Sequence, residues 1–196
     1  MPIAGLSILP VFFRDWPLLL LPVHIVFLEL IIDPSCSLIF EAEEAEVNVM
    51  NRPPRNPKEP LFSATTVGFS VLQGLSSLAV CLAVFLLSRP NHQPDASRAL
   101  AFATLVVSFL VIILANRSWT RTLVGMIAVP NTALWWVVGG TVGLLALVLT
   151  VPLAQRLLHF QQIHTGDLVL SMTAGFVCVL WFDLLKLTRW WSRLAA

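Results

Sequence analysis

Residues 22–34 read Pro22-Val23-His24-Ile25-Val26-Phe27-Leu28-Glu29-Leu30-Ile31-Ile32-Asp33-Pro34. The run is apolar except for His24 and two carboxylates spaced four apart, a spacing that puts Glu29 and Asp33 on one face of a helix. An ionised carboxylate at membrane depth costs several kcal/mol, so it ordinarily faces a cation, a proton path or a charged partner. Pro34 follows Asp33 directly. It has no N–H to donate and disfavours helical geometry at the residue before it, which predicts a helix break there. Such a break would leave backbone carbonyls beside two carboxylates, an all-oxygen set that suits hard cations such as calcium, magnesium or manganese. A pairing with His24, or a place near the membrane interface, would explain the same carboxylates without any cation.

The surroundings of this stretch set its solvent. Of the 196 residues, 57% are hydrophobic and 12% charged, whereas a soluble domain carries about 25% charged residues. The charges fall between long apolar runs, which reads as membrane spans rather than a water-soluble core. The run around the opening stretch covers 17–40. Four more lie near 62–88, 99–115, 131–154 and 167–188, and each approaches or exceeds the roughly 20 residues that span a bilayer. The first run, 1–13, is shorter: about 12 residues at ~1.5 Å each give ~18 Å against a ~30 Å hydrocarbon core. It lacks the charged segment and cleavage site of a signal peptide and reads as the back half of a span. The expected fold is all-α, a polytopic transmembrane bundle of one partial helix plus five spans. Close packing is expected through small residues, Gly68 with Gly74, and Gly139, Gly140 and Gly143.

Placing the 41–61 loop in the cytoplasm puts Arg52, Arg55, Lys58, Arg117, Arg121, Lys186, Arg189 and Arg193 on that side. Arg14, Arg89, Arg98 and Arg156 lie opposite, an eight-to-four division of the 12 basic residues. Positive charge favours the cytoplasmic face, so the C-terminus is expected there. The short connectors suggest a bacterial plasma membrane. Trp16, Trp119, Trp135, Trp136, Trp190 and Trp191 stand near run ends as an interfacial belt would, with Trp181 inside the last run. The net charge of +1 and the lack of an aromatic-studded basic stripe exclude nucleic acid as a partner.

Cys36, Cys81 and Cys178 lie far apart, so neither a zinc site nor a disulfide framework is indicated, and they read as packing residues. A Cys-Pro-Cys soft-metal signature is missing. His24 stands off the Glu29–Asp33 face and reads first as a satisfied packing residue, second as a proton relay. Asp183 and Lys186 are spaced as an i,i+3 pair near the end of the last run.

In the 41–61 loop, Glu41, Glu43, Glu44 and Glu46 precede Met50-Asn51-Arg52-Pro53-Pro54-Arg55-Asn56-Pro57-Lys58-Glu59-Pro60. By charge this is solvated, and its proline density makes it stiff and extended. With 22–34, this stretch carries a resemblance over the whole chain. The first segment resembles the sixth membrane helix of P-type cation-transporting ATPases, and the second resembles the cytosolic loop after it in the calcium-pump branch. Residues 2–6 would then lie in the middle of the fifth helix, and the later runs would be helices seven to ten.

That resemblance implies that residues of 22–34 bind the transported cation. Where calcium pumps offer Asn, Thr and Asp, this chain has Glu29, Ile32 and Asp33. The fifth-helix Glu position corresponds to Ile3, and the run near 99–115 holds no carboxylate. A complete two-ion calcium site is therefore not expected, and one reduced site at Glu29 and Asp33 is. The cargo would be calcium, magnesium, manganese or a proton, with no cofactor in this chain. The resemblance also makes Arg52, Pro53, Pro54, Arg55, Pro57 and Lys58 the contact to a phosphorylation domain.

The chain has no Asp-Lys-Thr-Gly-Thr phosphorylation motif and no polar segment long enough for nucleotide-binding or actuator domains. By itself it is not expected to hydrolyse ATP. The expected partners are the bilayer and the N-terminal half of such a pump. An alternative is a free-standing membrane module that modulates an intact pump. A third reading, an intramembrane enzyme using Glu29, Asp33 and His24, lacks an accompanying nucleophile or metal cluster.

Overall fold

The computed structural model describes residues 1–13, 16–43, 64–117 and 131–186. They form eight helices in chain order: α1 Pro2–Phe12, α2 Pro22–Glu41, α3 Ala64–Ser88, α4 Pro94–Asn116, α5 Thr132–Thr150, α6 Pro152–Leu157, α7 Thr165–Val177 and α8 Leu180–Lys186. No strand occurs among the described residues. Prolines fix several starts: Pro2, Pro22, Pro94 and Pro152 each open a helix, where a missing N–H costs nothing and φ is already helical. Asn131 caps α5, its side-chain oxygen accepting from the Leu134 N–H at 3.0 Å.

Five segments are long and apolar enough to cross a membrane: α2, α3, α4, α5 and the stretch Thr165–Lys186 made of α7 and α8. The protein is an integral membrane bundle. Its centre is α4, where 78% of the apolar window is buried, against 22–33% in the other four. Helices α3 and α7 flank it, α5 lies against α2 and α4, and α1 packs on α3. Two expected runs are divided. Val151 is held extended ahead of Pro152, ending α5. The last span turns at Cys178 and Val179 between α7 and α8.

The closest helix approaches correct the small-residue expectation. Gly74 does sit at one, since an added Cβ would lie 2.8 Å from Met1 Cβ. Gly68, Gly139, Gly140 and Gly143 face open space. The tight contacts lie instead at Gly5, against Leu78, and at Gly175, whose added Cβ would be 2.7 Å from the Thr104 carbonyl oxygen on α4. Glycine spacing along one helix says nothing about which face meets a neighbour.

Two polar pairs stitch the spans, the first buried and the second partly so. Ser77 of α3 and Ser108 of α4 share a 2.8 Å hydroxyl contact, and the Gln73 and Asn116 amides exchange bonds at 3.0 and 3.4 Å. Trp181 donates its indole N–H to Ser76 at 3.2 Å, so the tryptophan outside the expected belt ties α8 to α3. Lys186 donates to the Ala115 carbonyl at the end of α4 and stands 5.2 Å over the Phe182 ring.

Candidate functional site

Helix α2 runs without a break from Pro22 to Glu41, with Pro34 inside it. The expected break at Asp33 does not occur. In a bundle, neighbouring groups re-satisfy what a proline leaves open, so the helix continues through it. Pro34 still removes the donor that the Leu30 carbonyl would otherwise take, and Ser35 Oγ donates to the next carbonyl, that of Ile31. One weakened carbonyl, not an unwound segment, accompanies the carboxylates.

Glu29 and Asp33 both lie on the exposed face of α2, while His24, Leu28, Ile31, Ser35 and Ile39 form its buried face. Neither carboxylate pairs with a basic side chain among the described residues. No third His, Cys, Asp or Glu there joins them in a cluster. The pair lies on the side of α2 that the other described helices leave exposed. Next to it, α2 and α5 enclose an apolar groove of about 440 Å³ lined by Leu30, Pro34, Leu38, Trp136, Gly140 and Leu144. That groove offers no charged donor.

His24 does not partner either carboxylate. Its ring is fully buried, accepts the Leu21 N–H at Nδ1 (3.1 Å) and donates from Nε2 to the Leu158 carbonyl (2.6 Å). It stacks on Phe160 at 4.8 Å and tilts against Phe102 at 5.4 Å. Arg98, from the first turns of α4, works beside it: Nε donates to the Leu18 carbonyl (3.0 Å), and Nη1 donates to Asp95 (2.7 Å) and to the His159 carbonyl (3.1 Å). The connector 16–21 and the turn at 158–159 are thus pinned by the same two side chains.

At the opposite end of α2, Glu43 pairs with Arg117 just past α4, with Arg117 Nε 2.6 Å from Oε2. Asn131 Nδ2 reaches the same oxygen at 3.2 Å. The Arg117 side chain is fully buried, and its Nη1 and Nη2 have no hydrogen-bond partner among the described residues. The knot fixes residue 43, from which the acidic and proline-rich loop departs. The loop residues Arg52, Pro53, Pro54, Arg55, Pro57 and Lys58 lie outside the described residues, as do Glu44, Glu46, Trp119, Trp190 and Trp191. In sequence, Glu43 stands in a solvated loop and Arg117 is one of the cytoplasmic basic residues. Their meeting, 74 positions apart, left no local signal.

A bundle of five segments long and apolar enough to cross a membrane belongs to the class of polytopic membrane proteins. Residues 17–188 match the family described as "Cation transporting ATPase, C-terminus", and the chain belongs to that family. It is 31% identical over 163 residues to a calcium-transporting ATPase of Bacillus subtilis, covering 81% of this chain and 18% of that protein. It is 28% identical over 123 residues to a calcium-transporting ATPase of Listeria monocytogenes, covering 62% of this chain and 14% of that protein. The chain spans less than a fifth of the length of these relatives. Its spans are a membrane segment of the cation-transporting ATPase family.

Proposed function

We propose that this chain supplies the cation-coordinating carboxylates of a P-type pump, with Glu29 and Asp33 as the ligands on the sixth-helix equivalent. The observation that carries the reading is their shared, exposed face on a membrane-spanning helix, with no basic partner among the described residues. Two uncompensated carboxylates at that depth are costly unless a cation or a proton occupies the site. A calcium ion takes six to eight oxygens, so helices outside this chain complete the shell. Calcium is the favoured cargo because both relatives carry it in their names. The loop from Arg52 to Lys58 serves as the contact to a phosphorylation domain, rooted at the Glu43–Arg117 knot. The protein resides in a bacterial plasma membrane with its C-terminus in the cytoplasm.

A chimera tests this. Residues 17–188 would replace the matching segment of the Bacillus subtilis pump, and ATP-driven calcium uptake would be measured in inverted vesicles. Glu29→Gln and Asp33→Asn should each lower calcium affinity by at least about tenfold, which is ~1.4 kcal/mol of ligand energy. Uptake unchanged in both variants would sink the assignment.

A further inference from the structure

We propose that His24 is a positioning residue for the carboxylate helix, and that its grip requires an uncharged ring, so that acid releases it. The argument stands on hydrogen-bond roles. The backbone N–H of Leu21 can only donate, and it points at Nδ1 at 3.1 Å. The backbone carbonyl of Leu158 can only accept, and it lies 2.6 Å from Nε2. One ring satisfies both: the neutral imidazole with its proton on Nε2. An imidazolium carries a proton on each nitrogen and would set an N–H against the N–H of Leu21.

The surroundings make the added charge hard to accommodate. The ring has no exposed surface and lies against Phe102 and Phe160. The charged and titratable groups near it are Arg98 on α4, which holds the Leu18 and His159 carbonyls, and His159 itself on the turn after α6. Asp95 is engaged by Arg98 at 2.7 Å. The connector 16–21 is Trp-Pro-Leu-Leu-Leu-Leu and offers no carboxylate. On α2 itself the acidic residues, Glu29, Asp33 and Glu41, are exposed, away from the buried ring.

The latch has a mechanical consequence. His24 is the third residue of α2 and clamps the helix start both to the connector just before it, 16–21, and to the turn at 158–160, 134 positions away at Leu158. Protonation gives up the Leu21 contact and repels Arg98, which itself holds Leu18 and His159. Both connectors loosen together, five residues before Glu29. Only this last step, the effect on the carboxylates, rests on the proposed cation site; the latch is tested without it.

The test compares the whole chain with His24→Gln in lipid nanodiscs. Glutamine can accept the Leu21 N–H at Oε1 and donate to Leu158 from Nε2, yet it takes up no proton in this range. Thermal unfolding is followed from pH 8 to pH 5. The two proteins should have similar Tm at pH 8, and the wild type should fall below His24→Gln by about 2–4 °C at pH 5, the shift expected from one lost hydrogen bond in a chain of this size. The comparison cancels the contributions of His92, His159 and His164, which both proteins share. Parallel pH curves would overturn the proposal. Should His24→Gln fail to fold, 15N-histidine NMR of the wild type decides: a bare Nδ1 with a protonated Nε2 at pH 7.5 supports the latch, and a proton on Nδ1 refutes it. Calcium uptake by the chimera, measured at pH 8 where the latch is closed, reads the carboxylates separately.

Discussion

At the scale of single residues, the polar groups of this chain divide by whether they have partners. Glu43 and Arg117 pair across 74 positions, with the arginine side chain fully buried and the glutamate 16% exposed. Breaking a buried pair on one side leaves an uncompensated charge and costs about 3–5 kcal/mol. Glu43→Ala should therefore lower stability by roughly that amount in denaturant titration of the micelle-embedded chain. The double change Glu43→Leu with Arg117→Met should recover most of it, since apolar replacement of such pairs is often neutral. Equal losses in the single and double variants would show that the pair is not coupled. Glu29 and Asp33 behave differently. They lie on the open face and make no pair with a described residue, so Asp33→Asn breaks no contact and should not lower stability by more than about 0.5 kcal/mol. A large stability loss there would instead reveal a structural role.

Among elements, the contact between α4 and α7 depends on a backbone approach rather than on side-chain bulk. A Cβ at Gly175 would stand 2.7 Å from the Thr104 carbonyl oxygen and 3.1 Å from Val107 Cβ. Neither a backbone oxygen nor a branched Cβ can swing aside, so Gly175→Ala should cost about 1–3 kcal/mol as overpacking. The control is Gly139→Ala on α5, where nothing lies within 4 Å. There the alanine should be neutral or stabilising by up to about 1 kcal/mol, through helix propensity alone. Unfolding of both variants in the same micelles checks the pair of predictions, and equal effects would contradict the packing seen at Gly175. Such close approaches matter more in lipid than in water, because apolar burial drives association little when the solvent is itself hydrocarbon.

Across the whole molecule, the centre of the bundle is α4, and both ends of the carboxylate helix are anchored to residues near its termini. Arg98 and Phe102 receive the α2 start through Leu18 and His24, while Arg117 receives its end through Glu43. The outward face between those anchors, which carries Glu29 and Asp33, is left exposed by the described residues. On the pump reading proposed above, that exposed face is where helices of a pump would pack.

The sequence by itself determined the solvent, the spans and the family. Hydrocarbon imposes a length of roughly 20 apolar residues on every span, and each span's apolar run is contiguous along the chain. The carboxylate pair was legible for the same reason, since a four-residue spacing fixes a shared helical face whatever surrounds it. The passage of α2 through Pro34 was not legible, because it turns on neighbours that re-satisfy the backbone. Neither were the partners of His24, the Arg98 clamp, the Glu43–Arg117 knot or the choice of Gly5 and Gly175 over Gly139, Gly140 and Gly143. Each depends on which helix face meets which neighbour. In a chain that is apolar on nearly every face, no amphipathic pattern records that choice, so only tertiary packing decides it.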